Sequence, residues 1–162
     1  VYGDLLNFYK NNDGIEGLPL RLILVVIVAG MTIPIALYGL STYSKTQAET
    51  MLINEFSRIE TTARQVSNGG GGTSLPVTVE FKNNAFSTIE YVKIGDAING
   101  TYGSVIRYKF SGSDEQRYIL KSDLRLASND NATFTLSAGA HNLKLTHVTS
   151  NTVIPYIEVG EV

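Results

Sequence analysis

The sequence predicts an α+β fold: a long N-terminal helix, apolar at first and amphipathic after that, followed by a small antiparallel β-sandwich. Three observations predict it. Residues Leu22 to Leu40 contain no charged side chain; residues 43–67 repeat apolar side chains at spacings of three and four; and short β-branched runs separated by Gly, Asn, Asp and Ser turns fill the chain beyond a tetraglycine. The boundaries that follow are a leader over 1–17, a helix over 18–67 (apolar part 18–42, amphipathic part 43–67), a glycine-rich joint over 68–74 and a β domain over 75–162.

Helix entry is set by Pro19, whose missing N–H is harmless in a first helical turn, so the helix is expected to begin near Leu18. Before it, Leu5, Leu6, Phe8 and Tyr9 form a short apolar patch, and Asn11 to Gly14 read as a turn. The apolar part consists of Leu22, Ile23, Leu24, Val25, Val26, Ile27, Val28, Gly30, Ile33, Pro34, Ile35, Leu37 and Leu40, with only Thr32 and the Tyr38 hydroxyl interrupting. At a rise of about 1.5 Å per residue the uncharged run spans roughly 28 Å, the thickness of a bilayer's hydrocarbon core. Taking its Leu, Ile and Val side chains out of water is worth on the order of 20 kcal/mol, so the segment requires lipid or protein around it. The run is longer than the apolar stretch of a removable secretory signal, and Lys10 in its leader is outweighed by Asp4, Asp13 and Glu16. Pro34 removes one helical hydrogen bond and crowds the carbonyl of Gly30, which predicts a kink or loosened turn between the two.

From Tyr43 to Val66 one face carries Ala48, Leu52, Phe56, Ile59, Ala63 and Val66, and the other carries Lys45 with Glu49, Glu55 with Arg58 and Glu60 with Arg64 at helical pair spacing. This face is expected to dock on the chain's own β domain, a partner-binding helix being the alternative. Gly69 to Gly72 cost the helix about 1 kcal/mol each, which ends it and predicts a flexible joint. Strands are expected over 75–82, 86–94, 104–110, 116–120, 131–136, 142–148 and 152–159, with the Ser111 to Glu115 segment as a hairpin turn.

Chemistry is sparse. The formal charge of −2 and the lack of any local Lys/Arg cluster argue against nucleic acid, and the absence of cysteine rules out a disulfide framework. The tetraglycine lacks the Lys-Ser/Thr that a phosphate loop needs, so no cofactor is expected. His141 and His147 share one side of a strand at roughly 20 Å, too far apart for one metal. No nucleophile or acid pair stands in a catalytic motif, and an enzyme is not expected. Asn99-Gly100-Thr101 and Asn131-Ala132-Thr133 are candidate N-glycosylation sequons in turns.

The order of parts resembles that of type IV pilins, in particular archaeal pilins and archaellins with a β-sandwich head. The string Gly14-Ile15-Glu16-Gly17-Leu18-Pro19-Leu20-Arg21-Leu22 is similar to a prepilin signal region, in which a peptidase cuts after a glycine just ahead of the apolar helix. The resemblance implies processing after Gly14 or Gly17, a prepilin peptidase and pilus assembly machinery as partners, membrane insertion before assembly, and a cell-surface filament of identical copies serving adhesion. Asp13 stands where the family usually has Lys or Arg, and Glu16 would be the second residue after a cut at Gly14, whereas many bacterial pilins carry a glutamate fifth. The interior proline resembles the helix-breaking residue of that family. In such a fibre Arg21 would need a carboxylate, for which Glu16 of the same or an adjacent copy is the candidate.

A second class fits the same residues: a single-pass anchored surface protein with an envelope-binding, stator-like β domain. Lys10, Arg21 and Lys45 are too balanced to orient such an anchor. The filament is favoured because a tether needs no uninterrupted helix, a flexible linker being sufficient.

Overall fold

A computed structural model of the chain describes residues 13–98, 100–121, 123–128, 132–150 and 153–162. It has the α+β architecture that the sequence predicts: helix α1 (Asp13–Asn68), then β1 (Ser74–Phe81), β2 (Ile89–Ile94), β3 (Val105–Phe110), β4 (Gln116–Ile119), β5 (Leu126–Ser128), β6 (Phe134–Leu136), β7 (Gly139–Ser150) and β8 (Val153–Glu161). Two compact units divide it, Val1–Tyr43 and Ser44–Val162.

In the first unit α1 is already helical at Asp13, the first described residue, ahead of the start expected near Leu18. Nothing between Asp13 and Pro19 forbids helical dihedrals, so the proline is accommodated inside the helix. The helix is also unbroken from Gly30 through Pro34, where a loosened turn was expected. One missing hydrogen bond is a local loss that the flanking apolar turns tolerate.

The second unit is built from two four-stranded sheets, ordered β1-β7-β8-β5 and β4-β3-β2-β6. Pairing is antiparallel except between β5 and β8, which run parallel, a departure from the all-antiparallel expectation. β5 has no counterpart in the sequence reading, since three residues are too few to display a period. It is held from outside itself, by Leu126 N donating to Gly103 O at 2.7 Å and Asp96 N donating to Leu126 O at 3.2 Å. Strand β2 begins three residues later than expected because Asn83 and Asn84 build a turn, with Asn83 Oδ1 accepting from Ile89 N at 2.8 Å.

The amphipathic half of α1 closes this sandwich. Ala48, Leu52, Phe56, Ile59, Ala63 and Val66 are all buried and, Ala48 apart, belong to one core cluster with Val79, Phe81, Ile106, Leu143 and Val159 from both sheets. Phe56 is the pivot: its ring lies 6.1 Å from that of Phe81 on β1, and 5.3 and 5.6 Å from those of Tyr108 on β3 and Tyr118 on β4. The helix therefore packs against side chains of both sheets, through β1 in one and β3 and β4 in the other.

Two carboxylates pin the helix in register. Glu60 is buried and accepts from Arg64 Nη2 at 2.9 Å, Tyr118 Oη at 2.9 Å and Lys121 N at 3.1 Å. Glu49 accepts from Tyr108 Oη at 3.1 Å, a cross-domain partner in place of the expected Lys45. Burial, followed by the adjacent carboxylate, pushes both phenols above their ordinary range. A raised folded-state value means that the unfolded chain releases its phenolic proton first, so the stabilisation is complete below about pH 10 and is lost as the pH climbs beyond it. The denaturation midpoint should therefore fall with pH above that point, and Tyr108→Phe should flatten the decline; an unchanged slope would refute the coupling.

The tetraglycine is an ordered turn, not the flexible joint expected of it. Gly70 adopts a left-handed φ of 84° at the helix exit, Gly72 N donates to His147 O and His147 N to Thr73 O, both at 2.8 Å. A Cβ on Gly71 would collide with the Thr149 side chain. These glycines let the chain reverse tightly against β7, a role that composition alone could not distinguish from slack.

Candidate functional site

The functional candidate is the apolar part of α1. Its Leu, Ile and Val side chains from Leu22 to Leu40 are each 51–72% exposed, on every face of the helix. Leu22, Ile23, Leu24, Val25, Val26, Ile27, Val28, Ile33, Ile35, Leu37 and Leu40 thus lie on the helix where the sequence placed them, each of them exposed. The helix is long and apolar enough to cross a membrane.

Its threonine hydroxyls suit a dry environment. Thr32 Oγ1 donates to Val28 O at 2.7 Å and Thr42 Oγ1 to Tyr38 O at 3.0 Å, so these polar groups are satisfied within the helix. Pro34 has no N–H to offer Gly30 O, which leaves that carbonyl as a point in the run open to an outside donor. Gly30 meets nothing within 4 Å, so a neighbouring helix backbone could approach closely there.

Arg21 is exposed at the N-terminal end of the run. Gly14, Glu16 and Gly17 fall in the first turns of α1 by their backbone, but the Glu16 side chain, and with it the pairing to Arg21, lies outside the described residues. The sequon asparagines Asn99 and Asn131 lie outside them too.

The β domain carries polar surface features. His141 joins Glu161 through Nδ1 and Ser137 O through Nε2, both at 2.9 Å, at one end of β7, while the half-buried His147 lies near its other end. An open polar groove runs between α1 and β1, lined by residues including Ser57, Arg58, Thr61 and Thr78. The Ser111 to Glu115 segment is the expected hairpin turn, with Ser113 N donating to Phe110 O at 3.0 Å and Gly112 at a φ of 73°.

The sequence reading missed one assembly. Lys93, Arg107 and Arg117, distant along the chain, stand in register on β2, β3 and β4. No local charge run signals this. The signal that could have found it is one basic residue at an outward position in each of three successive strands.

Residues 19–160 match a family described as a domain of unknown function, DUF7311, and the chain belongs to that family. No curated protein and no solved structure matches it.

Proposed function

We propose that this member of the DUF7311 family is a structural subunit of an extracellular, type IV pilus-like filament, stored in the membrane and self-assembling through the apolar half of α1. The observation that carries the reading is the all-round exposure of that half, beside an amphipathic half whose apolar face is already consumed by the β domain. A docked face has no apolar surface left to share, so association falls to residues 22–40. Transfer from lipid to a bundle of like helices changes little in hydrophobic free energy, because both surroundings are dry, and close packing then decides. A repeating head-to-tail contact without ring closure yields an open fibre. The β domains are displayed for attachment to surfaces, and glycans at Asn99 and Asn131 belong to the same reading.

Electron microscopy of material sheared from cells, with N-terminal sequencing of the recovered chain, tests assembly and processing together. Fibres built of this chain, beginning just after Gly14 or Gly17, are the expected result. Recovery solely as a detergent-extracted monomer would overturn the filament and leave the single-pass anchor.

A further inference from the structure

The outward face of the second sheet carries a row of like charges on three neighbouring strands. Lys93 on β2 lies directly across from Arg107 on β3, which lies directly across from Arg117 on β4. Like charges at directly opposed positions destabilise a sheet. Among the described residues no carboxylate stands within ion-pair distance of any of the three, although Lys109 on the same face pairs with Glu90 at 3.0 Å. The net charge of the chain is −2, so the row is no sample of a generally basic surface.

The row is also held ready. The Arg107 and Arg117 guanidinium carbons sit 4.4 and 5.3 Å from the centre of the Tyr102 ring, and the Lys93 Nζ sits 4.2 Å from that of Tyr91. Arg107 Nη2 donates to Thr133 Oγ1 at 3.3 Å, while its Nε is buried without a partner. Cations fixed by aromatic rings lose less freedom on binding than free side chains do.

The geometry points to an acidic polysaccharide as the ligand of this face. Arg107 and Arg117 converge on the Tyr102 ring with Lys93 in the adjacent strand, a compact group of cations suited to a polymer that carries carboxylates on successive sugars. Next to the row, Val105 faces Ile119, and Ile119 is 69% exposed, an apolar strip for the C–H faces of sugar rings. The exposed Thr135, paired with Lys93, supplies a hydroxyl beside them. Binding at this face is independent of whether α1 polymerises or anchors.

The test uses the full chain in a nonionic detergent, with polygalacturonate, neutral dextran, polyglutamate and a DNA duplex immobilised in parallel. The expected result is retention on polygalacturonate that weakens with salt and drops roughly tenfold or more in Arg117→Glu, with dextran silent. Arg117 is exposed, so its substitution leaves the core intact; Arg117→Thr should raise the unfolding midpoint at low salt, whereas a structural role for the row would lower it. Equal retention on dextran, stronger retention on polyglutamate or DNA, or an unchanged Arg117→Glu overturns the assignment.

Discussion

Met31→Asp should abolish both membrane retention and fibre formation, while leaving the β domain folded. Met31 is the midpoint of the run from Leu22 to Leu40 and is 67% exposed, so no fold contact is lost. A carboxylate at the centre of a spanning helix costs about 3 kcal/mol in lipid, a factor of roughly a hundred in partitioning, and its short side chain cannot reach the interface. In a helix bundle the same charge would be buried in every copy without a partner, at several kcal/mol per subunit. Fractionation of cells into membrane, soluble and sheared-surface material reads both outcomes, and Met31→Leu is the control. Normal membrane retention and normal fibres in Met31→Asp would show that the apolar run contacts neither lipid nor its own kind.

Phe56→Ala should cost the β domain about 3–5 kcal/mol, a large share of the 5–15 kcal/mol that holds a typical domain together. Phe56 is fully buried and meets rings from both sheets, so truncation opens a cavity where α1 and three strands converge. The exposed Met51, on the same helix, should tolerate alanine within about half a kcal/mol. Denaturant unfolding of the full chain in detergent, followed by tyrosine fluorescence, separates the two. Equal midpoints for Phe56→Ala and Met51→Ala would mean that the amphipathic face is free for a partner, and the division of labour along α1 would collapse with it.

The two halves of α1 also show where sequence reasoning holds and where it stops. Ala48, Leu52, Phe56, Ile59, Ala63 and Val66 are legible because a 3.6-residue period is a local property, and each is buried. The Leu22 to Leu40 run is legible because its charge-free length is a sum over neighbours. β5 was not legible, since its three residues are placed by Gly103 and Asp96 rather than by any pattern of their own. Nor was the order of Gly70 to Gly72, because a glycine run is compatible both with slack and with a left-handed turn, and the choice was made by His147 and Thr149 on a strand some seventy-five residues away.

By itself, then, the sequence determined the α+β class, the apolar half-helix and the face by which the other half docks, all of which follow from periodicity and composition within a few turns of chain. Only the tertiary structure decided that this face packs against both sheets at once, that Glu49 and Glu60 lock it to Tyr108 and Tyr118, and that Lys93, Arg107 and Arg117 stand in register. The reason is physical: strand register brings together residues that no local pattern relates, and it is set by the packing of the whole domain.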